Sequence, residues 1–136
     1  MSHSITGRAR AIALTVAALV SVPVLASTAV AAPADMYAPY ARAAAKVSAG
    51  GTLTDSKNVT SVSRPRAGVY CVKITDPDID LRKAAVLATV NGIKIRMISV
   101  NNAPDPACGN AADAVTVYTF YADGTSSDAP FTLTVQ

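Results

Sequence analysis

The sequence has few of the side chains on which most enzymes depend. It contains one histidine, His3, and neither tryptophan nor glutamate, so all nine acidic residues are aspartate. Histidine is the commonest general base and the commonest protein metal ligand. Because His3 lies in a segment that we predict to be removed, the exported chain would lack Ser/His/Asp and Cys/His nucleophile systems and the usual zinc sites. We therefore predict that the protein is not an enzyme and binds no cofactor.

The removed segment is predicted to be a signal peptide, residues 1–34. Its charges are Arg8 and Arg10, after which an uncharged, apolar stretch leads to a run of small residues. A basic head, an apolar middle and small residues at the cleavage point are the parts of a secretory signal. Cleavage is expected after Ala34 or, in the alternative, after Ala31, and the protein is expected to be extracellular. An uncleaved membrane anchor is the other interpretation that the length of the stretch allows.

Removal of this segment changes the charge of the protein. The whole chain carries 12 basic and nine acidic residues, and two of the basic ones lie in the predicted signal. The remaining chain is therefore close to neutral, at +1 by the same count. Nucleic-acid binders need a concentrated positive surface, so we expect no nucleic acid as partner, and no membrane after cleavage. The expected partners are an extracellular protein, a cell-wall component or a small molecule.

The residues after the predicted signal divide into two parts. Residues 35–57 are rich in alanine and glycine, and we expect a partly ordered leader or linker in which residues 40–49 can form a short helix. Alone in water, a helix of this length is marginal. Residues 58–136 alternate apolar and polar side chains with a period of two, which is typical of β-strands.

The segment 58–136 is predicted to fold as one all-β domain. About six strands would bury their apolar faces in a small β-sandwich or an open barrel. The predicted strands are residues 58–63, 69–75, 84–90, 93–100, 114–121 and 131–136. In the last of them, Phe131, Leu133 and Val135 are expected to face inward.

The dipeptide Asn91-Gly92 predicts a β-hairpin between the third and fourth of these strands. Asn-Gly is the preferred two-residue turn because both residues accept positive φ. The turn would fix the register and place six apolar side chains on one face of the hairpin. The predicted cross-strand pairs are Val90 with Ile93, Ala88 with Ile95, and Val86 with Met97.

Cys71 and Cys108 are the only cysteines, and in an exported protein they are expected to form a disulfide. Closing a loop of about 37 residues would stabilise the fold by roughly 3.5–4 kcal/mol. Cys71 lies on the opposite face of its strand from Tyr70 and Val72. If those two residues face the core, the bridge would lie on the outer face or at an edge and would hold loop 101–112 across the sheet. A free or intermolecular pair is the alternative.

Asp76, Asp78 and Asp80 alternate in the sequence like the start of a calcium-binding loop. Such a loop needs glycine at its sixth position and a bidentate acid at its twelfth, where this chain has Leu81 and Leu87. We therefore predict no metal site and keep the three aspartates only as weak candidates within a solvated turn.

The segment Arg64-Pro65-Arg66 is expected to break the first strand and to be exposed. A serine-protease inhibitor presents a basic residue on a braced loop, and the bond after Arg66 is the candidate. A proline-broken link with solvated arginines is the simpler interpretation. The leading hypothesis is a non-enzymatic binding or surface-interaction module that uses its loops, first 101–112 and 122–130.

Two stretches carry a family resemblance: Gly68-Val69-Tyr70-Cys71-Val72 and the C-terminal segment that includes Val115-Thr116-Val117-Tyr118-Thr119-Phe120 and Asp123-Gly124. With the alanine-rich signal, they resemble small uncharacterised secreted proteins of high-GC Gram-positive bacteria, which implies export and a compact β domain. The chain also resembles antibiotic-carrying chromoproteins of the same bacteria, which are small secreted immunoglobulin-like sandwiches, although they have two disulfides and this chain can have one. That similarity implies a small-molecule carrier as a further alternative.

Overall fold

The computed structural model describes residues 31–102 and 104–136. Most of the predicted signal peptide therefore lies outside the described residues. In the described residues, nine strands form two sheets, one with the order β1-β3-β2-β9-β6 and the other with the order β4-β5-β8-β7. The predicted all-β fold is confirmed as an open, two-sheet sandwich with more strands than expected. The strands are β1 Ala34–Asp35, β2 Ala43–Val47, β3 Leu53–Lys57, β4 Val59–Arg66, β5 Val69–Ile74, β6 Val86–Val90, β7 Met97–Asn101, β8 Ala114–Phe120 and β9 Phe131–Val135.

The core lies between the inner faces of the two sheets. Alternate residues of a strand point to one face, and β9 accordingly buries Phe131, Leu133 and Val135 completely. From the other sheet, Tyr70 packs edge-on against Phe131, with ring centroids 5.0 Å apart. The predicted inward faces of strands 69–75 and 131–136 are thus confirmed. Within the described residues no helix is long or apolar enough to span a membrane.

The short helix expected at residues 40–49, within a partly ordered leader at 35–57, is wrong. Residues 43–47 form β2, which pairs with β9 on one side and β3 on the other. Ala43, Ala44 and Ala45 are fully buried there, which an isolated helix could not achieve. The helix propensity of alanine is a weak preference that sheet pairing and burial override. The folded domain therefore begins well before residue 58.

The Asn91-Gly92 hairpin is also wrong. Strand β6 pairs with β9 and β7 pairs with β8, so the two predicted hairpin strands lie in different sheets. A type I′ turn needs positive φ at both central residues, but only Gly92 has it, at +102°. The N–H of Asn91 instead donates to the carbonyl of Pro130 at 2.8 Å. Residues 91–96 thus form a crossover loop between the sheets.

Strand β4 continues through the proline that was expected to end it. It runs to Arg66, with an irregular register between Ser63 and Arg66. Proline is tolerated because β4 is the edge strand of its sheet. The next two residues, Ala67 and Gly68, make the turn into β5, where Arg66 pairs with Val69.

Candidate functional site

The disulfide is confirmed and braces one loop of the domain. Cys71 of β5 and Cys108 are bonded, with Cα atoms 5.6 Å apart. Cys108 ends a short 3₁₀ helix, Pro106–Cys108. As predicted, Tyr70 and Val72 face the core and are fully buried, so the bridge lies on the outer face. It fastens the loop after β7 across the sheet.

Asp105 provides a second fastening for the same loop. Its buried carboxylate accepts hydrogen bonds from the hydroxyl of Tyr118, the side-chain amide of Asn101 and the N–H of Ala107, each at 2.8 Å. The Tyr118 hydroxyl, followed by the Ala107 N–H, lowers the pKa of the Asp105 carboxyl. The side chain therefore stays ionised and is committed to holding the loop, not to an external ligand.

The crossover loop 91–96 is held at its two ends. Asn91 bonds through its side-chain amide to the hydroxyl of Thr132 at 3.0 Å. At the other end, the guanidinium of Arg96 donates to Ser127 Oγ at 3.0 Å and lies 3.9 Å above the ring of Tyr121. The loop is therefore attached to β9 and to the β8–β9 loop, while its middle projects from the sandwich.

The middle of this loop carries the most exposed aliphatic side chains of the described residues. Ile93 is as exposed as in an open peptide (102%) and Ile95 is 85% exposed. Leu87 on β6 and Met97 on β7 are 61% and 48% exposed, but they belong to different sheets and point outward from opposite faces of the sandwich. Single exposed apolar residues are common on protein surfaces, whereas two large ones close together on one loop are typical of an interaction surface. We call Ile93 and Ile95 the apolar patch.

A cleft of about 360 Å³ lies beside the loop. Asn91, Ile93, Lys94 and Arg96 form one wall, and the opposite wall comes from the residues around Asp128. Within the part of the chain that the structure describes, neither Lys94 nor Arg96 is in an ion pair. The cleft therefore places the apolar side chain of Ile93 beside positive charge that no described acidic residue compensates.

Asp128 does not supply that compensation because it is part of the scaffold. One carboxylate oxygen accepts from the N–H of Gly68 at 2.7 Å, and the other pairs with Arg64 at 2.8 Å. The Gly68 N–H is the largest cause that lowers the pKa of Asp128, and Arg64 also lowers it. Gly68 has φ +69°, and a Cβ there would lie 2.4 Å from the carbonyl oxygen of Thr119. Only glycine fits this close approach.

Two of the three aspartates considered for a metal site, Asp76 and Asp80, are engaged by other side chains. The guanidinium of Arg42 donates bidentate hydrogen bonds of 2.9–3.0 Å to the carboxylate of Asp76. These hydrogen bonds lower the pKa of Asp76. Asp80 accepts from Arg82 at 3.2 Å and pairs with Lys83 at 3.4 Å, while the N–H of Asp78 donates to Asp76. In residues 31–102 and 104–136, no three acidic, cysteine or histidine side chains form a group suited to a metal ion.

Arg66 lies at the last position of β4, before the tight turn into β5. It lines a shallow cleft of about 490 Å³ with Pro65, Asp105, Pro106, Ala107 and Tyr118. The bond after Arg66 leads into the turn residues Ala67 and Gly68 and not into an extended segment. A protease reads extended residues on both sides of the cleaved bond, so this geometry does not favour an inhibitory loop.

The apolar patch was not recognised in the sequence. The alternation of Ile93, Ile95 and Met97 with Lys94 and Arg96 fits one strand of a hairpin, so the apolar residues were assigned to its buried face. No local feature of the sequence separates an exposed crossover loop from such a strand. Of the two loops expected to bind, 122–130 does border the cleft, whereas 101–112 is the braced loop.

No protein family, curated protein or solved structure matches the chain.

Proposed function

We propose that this protein is an extracellular, non-enzymatic binding module that contacts its partner through the apolar patch. The single observation that carries the proposal is the exposure of Ile93 and Ile95 on a loop anchored at both ends. Burial of one such side chain is worth roughly 1.5–3 kcal/mol. Two of them, on a loop that is already positioned, can supply much of the free energy of a specific contact.

The disulfide supports the extracellular part of the proposal. Disulfides persist mainly in oxidising compartments, including the outside of the cell, and Cys71 and Cys108 are bonded. The signal peptide predicted from the first 34 residues points the same way. Mass spectrometry of the exported protein, with and without reductant, tests both points: a retained N-terminus or free thiols would contradict them.

The positive charge beside the patch supports a partner that is apolar and partly acidic. Lys94 and Arg96 alternate with Ile93 and Ile95, and Asp128 is already paired with Arg64. Complementary charge mainly sets the rate and specificity of association. We therefore expect a protein or cell-wall component with acidic groups next to an apolar contact area.

The experiment is a comparison of three immobilised proteins in culture medium and in cell-wall extract. They are the wild type, the Ile93→Ser/Ile95→Ser variant and a matched control, Tyr37→Ser/Tyr40→Ser. The control also removes two exposed apolar side chains, which are 92% and 93% exposed, but outside the patch. We expect a component that the wild type and the control retain and that the Ile variant loses. Equal retention by all three proteins, or none, would refute the proposal.

A small-molecule carrier is the second candidate because of the cleft beside the loop. Its volume of about 360 Å³ falls within the usual range for small-ligand sites, and Lys94 would attract an anionic group. The fluorescent apolar anion anilinonaphthalene sulfonate is a suitable probe. A Lys94→Gln variant should bind it several-fold more weakly than the wild type, whereas Lys83→Gln, another exposed lysine change, should not. Equal binding by all three would exclude this site.

A further inference from the structure

The two lateral sides of the sandwich differ in how their edge strands are protected. On one side the sheets end at β1 and β4, and on the other they end at β6 and β7. Strand β4 carries Arg64, Pro65 and Arg66 and has two irregularities of register. Charge, proline and bulges are the devices by which natural edge strands avoid pairing with another chain. The β4 edge is thus protected.

Strand β7 has none of these devices. Its five residues, Met97–Asn101, include no charge and no proline, and they pair with β8 in an unbroken register. An uncharged, regular edge strand is a template for a further strand. In this respect β7 is the opposite of β4, although the two strands are the two edges of one sheet.

The hydrogen-bond pattern shows which main-chain groups β7 offers. The N–H of Thr119 donates to the carbonyl of Gly68 at 2.8 Å, so the main-chain polar groups of Thr119 point towards β5. Neighbouring residues of a strand point their N–H and carbonyl groups to opposite sides. The N–H and carbonyl of Tyr118 therefore point towards β7, where Tyr118 pairs with Ser99. The residues of β7 whose N–H and carbonyl groups then point away from the sheet are Ile98 and Val100.

We propose that β7 pairs antiparallel with β7 of a second copy of this chain, with the two-fold axis at Ser99. In this register Ile98 faces Val100 of the second copy, and each such pair exchanges two main-chain hydrogen bonds. The side chains of Ile98 and Val100 are partly buried against the core, and the pairing would place β-branched side chains of the two copies side by side. The two four-stranded sheets become one continuous sheet.

A second copy suits this edge better than a charged partner does. In a two-fold contact, a residue at the axis meets the same residue of the second copy, and a residue on one side of the axis meets the residue at the same distance on the other side. A strand with charges of one sign therefore repels its own copy. On β4 such a contact would bring the arginines together, whereas on β7 it brings Ser99 beside Ser99. Residues 31–136 carry ten basic and nine acidic side chains, so the overall charge also allows association. The edge of β7 is a different surface from the loop to which the binding function is assigned.

Sedimentation velocity of the full exported protein, from about 5 µM to about 1 mM, tests the proposal. The wild type should shift from monomer to dimer as concentration rises. Ser99→Lys puts two lysines in contact across the axis and should weaken the dimer by at least about tenfold. The matched control is Ser63→Lys, at another exposed serine, on the outer face of β4, and it should dimerise like the wild type.

Hydrogen exchange provides a second readout that does not depend on the variants folding equally well. The amides of Ile98 and Val100 should exchange quickly in dilute solution and become at least about tenfold slower where the dimer forms, while Ser99 changes little. A wild type that stays monomeric throughout, or a Ser99→Lys dimer as stable as the wild type, would overturn the proposal. If Ser99→Lys instead abolished retention of an extract component by a monomeric protein, the edge would belong to a strand of another protein.

Discussion

Strand β7 has a loop at each end, and the two loops are built in different ways. The loop that follows it is fixed by the Cys71–Cys108 bridge and by the three hydrogen bonds to the Asp105 carboxylate. The crossover loop 91–96, which precedes it and which we call the open loop, is attached at its two ends and exposes Ile93 and Ile95 to solvent. One loop stabilises the outer face of a sheet, and the other keeps apolar surface available.

This difference separates stability from function in a small domain. A domain of about a hundred residues has a thin core and gains much from a cross-link. The braced loop is bonded to Cys71 on the outer face of its sheet. Because stability is supplied there, the loop at the other end can carry residues that contribute nothing to folding. Substitutions in the two loops should therefore have opposite effects on stability and on binding.

The largest expected effect comes from removing the disulfide. The Cys71→Ser/Cys108→Ser variant should lose roughly 3.5–4 kcal/mol of unfolding free energy because the unfolded chain regains the entropy of a loop of about 37 residues. Urea denaturation of the oxidised wild type and the variant measures this loss. A loss below about 1 kcal/mol would mean that the bridge is not the principal brace.

The next effect comes from Asp105. Asp105→Asn should cost about 1–3 kcal/mol, since it weakens bonds from Tyr118 and Ala107 to a buried charge. Asp113→Asn is the matched control because Asp113 pairs with Lys73 at an exposed position. The control should change the unfolding free energy by less than about 0.5 kcal/mol. Equal effects of the two changes would show that the Asp105 network does not hold the loop.

The Asp105 contribution should also depend on pH. Its pKa is lower in the folded protein than in the unfolded chain, so its stabilisation is complete above the unfolded value, near pH 4, and is lost as the pH falls through the folded value. The stability difference between the wild type and Asp105→Asn should therefore shrink in acid below about pH 4. Denaturation curves from neutral to acidic pH measure it, and a difference that grows in acid would contradict the assignment.

The smallest effect on stability is expected in the open loop. Ile93→Ser/Ile95→Ser should change the unfolding free energy by less than about 0.5 kcal/mol, because both side chains are exposed in the folded and in the unfolded chain. The same urea experiment provides the measurement. A loss above about 1 kcal/mol would show that these residues pack in the folded domain and would remove the basis of the proposed surface.

The fold could be predicted where the local sequence pattern agrees with burial. It could not be predicted where pairing with a strand far away in the sequence determines the secondary structure. Alternation in strand 131–136 correctly gave the inward residues Phe131, Leu133 and Val135. The same alternation correctly placed Cys71 on the opposite face of its strand from Tyr70 and Val72. By contrast, the alanines of β2 favour a helix locally, and only pairing with β9 makes them a central strand.

The candidate site could not be predicted from the sequence for a related reason. Asn91-Gly92 is a strong local turn signal, and the apolar residues on both sides agree with a hairpin. A local pattern does not show that β6 pairs with β9 and that β7 pairs with β8. Once the two strands join different sheets, the connecting residues form a crossover, and Ile93 and Ile95 lose the neighbours that the hairpin would have given them.

Site-specific photo-crosslinking tests the central claim, that the open loop is the contact surface, most directly. A photoreactive phenylalanine analogue would replace Ile95 in the open loop, Ala107 in the braced loop or Ser61 on the protected edge, and each exported protein would be irradiated in its own medium and cell-wall extract. The account predicts a discrete crosslinked product from position 95 and none from positions 107 and 61. The same product from position 107 or 61, with none from position 95, would contradict it.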